Sequence, residues 1–115
     1  MHAVRIYGIA NCDRVRKARA WLAKNGVPAD FHDFRKDGLP PTMLRRWLKQ
    51  HDWSELLNRA GTTWRKLPDT RRAAIVSQAE AEALMLEFPA LIRRPIIETG
   101  GKVRIGFDAR DYARS

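Results

Sequence analysis

The strongest constraint on the fold is a change of apolar period on either side of Gly8. Val4-Arg5-Ile6-Tyr7 alternates apolar with polar residues, the period of a strand with one buried face. Beyond Cys12 the spacing turns helical. Val15, Ala18 and Leu22, with Trp21 alongside, share one face, Asn11 or Asp13 is placed to cap the start, and Asn25-Gly26 supplies the stop. Val27 to Phe34, with Pro28 near its beginning and Phe31 and Phe34 among polar neighbours, reads as a second strand. Strand, crossover helix and strand predict a parallel β–α–β unit, because parallel neighbours need a connection longer than a hairpin. The same reading puts Cys12 at the N-terminus of the first helix.

The rest of the chain continues in another mode. After a turn-rich break over Lys36 to Pro41, Leu44, Trp47 and Leu48 fall at i, i+3, i+4 on a helix started by Thr42 or the prolines. Short amphipathic pieces follow at Trp53 to Asn58 and Trp64 to Leu67, punctuated by Gly61 and Pro68. Ser77-Gln78-Ala79-Glu80 has the form of a capping box, and Ala81, Leu84, Met85 and Phe88 make one stripe, so a helix is expected over about residues 78–88, ended by Pro89. Pro95 to Glu98 and Val103 to Ile105 flank Gly100-Gly101, the pattern of an antiparallel hairpin. Asp108 is placed to cap a last short helix. This order is that of an α/β, thioredoxin-like fold, a mixed β-sheet flanked by helices, with a helical insertion over about residues 41–90. At 115 residues one domain, 1–115, is expected.

Composition narrows the function classes. Hydrophobic residues at 44% and charged residues at 30% exclude a disordered, collagen-like or mucin-like chain. No apolar run approaches the roughly 18 residues of a membrane span, and Met1 to Ile9 has no signal-like apolar stretch, so the cytoplasm is the expected compartment and no membrane partner is expected. A single cysteine, Cys12, excludes an internal disulfide and a multi-cysteine zinc site. His2, His32 and His51 lack metal-ligand spacing, so no metal is expected. The net charge of +9 suits polyanions, anionic small molecules or an acidic partner, and residues 1–50 hold 11 basic against 4 acidic side chains, centring the field on the half that carries Cys12. Trp21, Trp47, Trp53 and Trp64 read as core or helix-packing residues. Arg45-Arg46, Arg71-Arg72 and Arg110 to Arg114 read as solvated faces, with Arg93 also in solvent. No recognised nucleic-acid motif accompanies these arginines, so nucleic acid is not an expected partner.

A cysteine thiol has a reference pKa of about 8.5, and a helix N-terminus with neighbouring cations favours its thiolate. Arg14, Arg16, Lys17 and Arg19 follow Cys12 within two turns, partly opposed by Asp13, so this residue reads as a reactive thiol rather than a structural one. Ile6-Tyr7-Gly8-Ile9-Ala10-Asn11-Cys12-Asp13 with Lys17-Ala18, together with Leu91-Ile92-Arg93-Arg94-Pro95-Ile96-Ile97 about 80 residues later, resembles the arsenate reductase (ArsC) and Spx family, and its YffB-like branch in particular. The resemblance covers essentially the whole chain. It implies a thioredoxin-like fold, Cys12 as redox nucleophile and Pro95 as a cis-proline facing it, whereas sequence alone makes the Arg94–Pro95 bond trans by default.

In the members that reduce arsenate, three arginines surround the cysteine. Here Arg94 fills the place before the proline, Arg59 within Leu57-Asn58-Arg59 is the candidate for a second, and the third falls on Phe107, with Arg104 the nearest basic residue. A charge-assisted contact is worth about 1.5–3 kcal/mol, so the missing cation counts against arsenate as substrate. Many Spx members carry a C-x-x-C switch and bind RNA polymerase, but Val15 stands three residues after Cys12, which excludes an intramolecular switch.

The resulting expectation is a thiol oxidoreductase with Cys12 and Arg94 as catalytic residues and Arg59, Pro95, Asn11 and Arg104 as substrate-binding residues. No bound cofactor is expected. A lone thiol needs an external one to resolve its mixed disulfide, which points to glutathione as co-substrate, or to a glutaredoxin-type reductant. The strand edge beside Pro95 is expected to pair with the tripeptide backbone. Two alternatives are a non-enzymatic, Spx-like module whose partner is RNA polymerase, and an arsenate reductase with an incomplete arginine set.

Overall fold

Turn and cap chemistry divides the chain into its elements, and a computed structural model describes them over residues 3–112, so His2 and Arg114 lie outside the described residues. Two compact units result, one from the residues up to Gly38 together with those from Arg94 on, the other from residues 39–93.

In the first unit, β1 (Val4–Gly8) leads through a turn into α1 (Asp13–Lys24), which returns the chain to β2 (Ala29–Asp33). β3 (Ile96–Thr99) and β4 (Lys102–Ile105) complete a four-stranded sheet of order β2-β1-β3-β4, with β1 and β2 parallel and the other pairs antiparallel. Gly100 and Gly101 sit at φ 58° and 80°, the left-handed pair that a two-residue hairpin turn of matching twist demands. Register puts Phe31, Ile6, Ile97 and Arg104 in one row across the sheet. On that face Val4, Ile6 and Ile97 pack with Leu22 of α1 and with Tyr112, rimmed by Trp21, Val27, Phe31 and Phe107. The helical stripe Val15, Ala18, Leu22 is buried as its spacing requires. Each large apolar side chain so buried stabilises by about 1.5–3 kcal/mol.

β2 stops one residue short of the sequence expectation. Asp33 accepts from the N–H groups of Arg35 and Lys36 at 2.8 and 3.2 Å, and this cap starts a short helix, α2 (Phe34–Asp37), where a strand end and then a turn-rich break were expected. After β4, Asp108 caps a single 3-10 turn, Ala109–Asp111.

The second unit is helical: α3 (Pro41–Leu48), α4 (Trp53–Leu56), α5 (Thr62–Arg65), α6 (Asp69–Ala73) and α7 (Gln78–Glu87), then a 3-10 turn at Pro89–Leu91. Prolines rather than Thr42 start α3, with Pro40 at the N-cap and Pro41 first in the helix. Leu44, Trp47 and Leu48 are buried on α3, as are Ala81, Leu84 and Met85 on α7, and α7 lies against α3 and α4. The capping box expected at Ser77 does not close: the Ser77 hydroxyl donates to the Glu80 carboxylate at 2.5 Å, and its oxygen accepts no cap bond from the backbone. A capping box forms at α4, where Asp52 accepts from the Ser54 N–H and Glu55 from the Asp52 N–H. The short helix α6 buries none of its side chains, so apolar periodicity carried no signal for it. Among the described residues, Arg45, Arg71 and Arg110 are exposed and pair with Glu82, Glu87 and Asp108, and Arg93 is exposed.

Candidate functional site

The site is built where β1 leaves the sheet. Past Gly8 the chain makes a turn closed by the Cys12 N–H donating to the Ile9 carbonyl at 3.1 Å, and the Arg16 N–H then donates to the Cys12 carbonyl at 2.9 Å, opening α1. Cys12 therefore occupies the N-cap position that the sequence had offered to Asn11 or Asp13. A Cβ on Gly8 would stand 2.6 Å from Val15 Cγ2, so only glycine lets the first turn of α1 come this close to β1. From the neighbouring strand the buried Asp33 accepts the Ala10 N–H at 3.1 Å.

Cys12 is partly buried. Burial alone raises its pKa, but the N–H of Val15, the Arg94 guanidinium through its hydrogen bond, the N–H of Arg14 and the Arg94 charge together outweigh it, leaving the thiol below its ordinary value. No cap hydrogen bond closes on the sulfur among the described residues, and the N–H groups of Val15 and Arg14 favour the anion as the partial positive charge of the helix start. The cations that follow Cys12 in sequence are not the main source of this field, contrary to expectation. Arg16 is paired with Asp13, and Arg19 lies over the Phe31 ring at 4.1 Å.

Arg94 precedes a cis peptide bond to Pro95 and reaches Cys12. Pro95 is buried and its carbonyl accepts from the Gly106 N–H at 2.8 Å. β3 lies between β1 and β4, so from Ile96 to Thr99 the strand is paired on both sides. Asn11 is exposed in the turn. Arg104 pairs with Asp111 at 3.2 Å. Phe107, at the third arginine position of the resemblance, stacks on Tyr112 at 5.7 Å with ring planes 7° apart and lies 5.6 Å from Trp21, so that position serves the core. Arg59 belongs to the second unit, exposed, with its guanidinium 5.3 Å over the Trp53 ring.

Sequence reasoning passed over Gly8 as a contact residue and Asp33 altogether. The signal for Asp33 was its place at the end of the strand beside β1, followed by residues able to start a helix. Its bond to Ala10 depends on strand register.

A mixed four-stranded sheet of this topology, with a thiol at the start of the crossover helix and a cis-proline before β3, defines a thioredoxin-like domain with the site of an ArsC-type thiol oxidoreductase. The chain belongs to the ArsC family, whose family model matches residues 7–115. Among solved structures it is similar to a YffB protein, at 44% identity, 96% coverage of each chain and a TM-score of 0.88. It is also similar to an arsenate reductase (ArsC) related protein from Brucella melitensis, at 48% identity over 96% of this chain and 91% of that one, with a TM-score of 0.78. An uncharacterized Haemophilus influenzae protein is 39% identical over 95% of both chains, and the global transcriptional regulator Spx 1 of Lactococcus lactis is 31% identical over 90% of this chain and 80% of its own. No helix among the described residues is long and apolar enough to cross a membrane.

Proposed function

We propose that the protein is a glutathione-dependent reductase of disulfides, acting in the cytoplasm through Cys12 alone. The observation that carries this reading is a thiol held below its ordinary pKa by two N–H groups and the Arg94 guanidinium. The Cys12 thiolate attacks one sulfur of a substrate disulfide. A Cys12–substrate disulfide forms, the substrate S–S bond breaks, and the other sulfur leaves as a thiolate that takes a proton from water. Glutathione thiolate then attacks the substrate sulfur of the mixed disulfide, releasing Cys12 as thiolate, and a second glutathione frees the substrate as a thiol with oxidised glutathione as product. Two electrons pass from two glutathiones to one disulfide. Arg94 stabilises the Cys12 thiolate as nucleophile and leaving group and attracts a glutathione carboxylate.

Arsenate fits this reading less well. Phe107 is engaged in an aromatic stack and Arg104 in an ion pair, so the third cation of the arsenate-reducing pattern is missing at that position.

The test is exposure to oxidised glutathione followed by intact-mass analysis. A single glutathione adduct, lost in Cys12→Ser, is expected. No adduct after prolonged exposure would remove glutathione from the scheme, and covalent dimer alone would point to a protein reductant of the glutaredoxin type. The likeness to Spx 1 favours a second reading, a binding module for RNA polymerase with no thiol chemistry. That reading requires no depressed Cys12 pKa, so thiol titration separates the two.

A further inference from the structure

We infer that Asp33 is the positioning residue of the thiol: its carboxylate, at the end of β2, holds the turn that presents Cys12. The inference deepens the thiol oxidoreductase reading and rests on it for its catalytic consequence.

Gly8 and Asp33 are register partners, so the ends of two parallel strands lie side by side. Beyond Gly8 the turn is closed along its own length by one bond, Cys12 N–H to Ile9 carbonyl. The Ala10 N–H is taken instead by Asp33 Oδ2 at 3.1 Å. The other oxygen, Oδ1, accepts from Arg35 and Lys36, and the Asp33 N–H donates to Asp37 Oδ2 at 3.0 Å. The carboxylate is thus fixed from the turn on one side and from α2 on the other. It is also the one buried charged side chain among the described residues, at 9% exposure.

Capping a four-residue helix does not require such burial, since Asp52 caps α4 from an exposed position. A buried carboxylate is costly unless its lone pairs are served, and here three backbone N–H groups serve it, one of them from the cysteine turn. The pitch of that turn sets where Cys12 stands relative to the N–H groups of Arg14 and Val15 and to Arg94. Slack at Ala10 therefore becomes slack at the sulfur.

Charge and position predict opposite signs. Asp33 is an anion, so by charge alone its removal makes the nearby thiolate easier to form and lowers the Cys12 pKa. If it holds the turn, its removal misaligns the donors and raises the Cys12 pKa. Asp33 is not among the main electrostatic influences on Cys12, which favours the second effect.

The experiment uses the full chain with Asp33→Asn and Asp33→Ser. The amide of the first has one acceptor oxygen, enough for α2 or for Ala10 but not for both. The hydroxyl of the second can still cap α2 but is too short to reach Ala10. Two quantities are read: hydrogen exchange of individual backbone amides by NMR, and the pH profile of Cys12 alkylation. In Asp33→Ser we expect the Ala10 amide to exchange about tenfold faster or more, the factor set by losing one hydrogen bond, and the alkylation midpoint to move up; in Asp33→Asn either the Ala10 amide or the Arg35 and Lys36 amides lose protection, because one oxygen serves only one side. In Asp33→Ser the Arg35 and Lys36 amides keep most of their protection. In Asp33→Ser, unchanged Ala10 exchange, a downward shift of the midpoint, or exchange that accelerates evenly through the whole chain would each overturn the assignment. If the unaltered protein titrates as an ordinary thiol, the oxidoreductase reading falls by itself, while Ala10 exchange still decides whether Asp33 holds the turn.

Discussion

Replacing Arg94 by alanine takes from Cys12 both a hydrogen-bond donor and the positive charge beside it. A hydrogen bond to an ionised group is worth about 1.5–3 kcal/mol, and the lower end applies because Cys12 is only partly buried and solvent screens the rest. At about 1.4 kcal/mol per pKa unit, the Cys12 pKa should rise by about one unit and the thiolate fraction near neutral pH should fall about tenfold. Arg94→Lys keeps the charge but loses the planar fork, so its midpoint should lie between the two. Iodoacetamide alkylation measured against pH reports the midpoint directly, and calorimetry with glutathione should show weaker binding in parallel. Arg71→Ala is the control, since its exposed guanidinium is occupied with Glu87, and it should leave both quantities where they stand. An Arg94→Ala midpoint equal to that of the unaltered protein would refute the reasoning, because the N–H groups of Val15 and Arg14 would then suffice.

Gly8→Ala forces a Cβ to 2.6 Å from Val15, which should cost about 1–3 kcal/mol in chemical denaturation; adding Val15→Ala should relieve part of it, and simple additivity of the two changes would contradict the contact. Because folding lowers the Cys12 pKa, ionisation of the thiol contributes stability that is fully present above the unfolded value of about 8.5 and is lost as pH falls through the folded value. The thermal-midpoint offset between Cys12→Ser and the unaltered protein should therefore be constant near about pH 5, widen as pH rises from the folded value toward about 8.5, and hold its full size at about pH 9.5. Trp47→Ala empties a fully buried site on α3 and should cost about 3–5 kcal/mol, read from the denaturation midpoint at unchanged slope.

Much of the architecture was legible because it rests on short-range chemistry. The change of period at Gly8, the stripe Val15, Ala18, Leu22 and the Gly100-Gly101 turn each constrain the backbone within a few residues, and each reappears in the structure. The cap at Ser77 illustrates the limit of local reasoning. Its motif is intact, but the side chains of Ser77 and Glu80 bond to each other and no backbone N–H closes on the hydroxyl oxygen, and a motif cannot say how a rotatable group will orient. The cations after Cys12 make the same point, since Asp13 holds Arg16 and the Phe31 ring holds Arg19.

By itself the sequence determined that a lone thiol begins the helix of a parallel β–α–β unit, because periodicity and turn residues act along the chain. It also determined that no second cysteine within these 115 residues could resolve that thiol. Only the tertiary structure decided which groups surround the sulfur. Arg94, far away in sequence, supplies the cation, Phe107 goes to the aromatic stack, and Asp33 meets Ala10 because strand register sets them side by side. Those outcomes depend on desolvation and on the pairing of buried polar groups, quantities that exist only once distant segments share an interior.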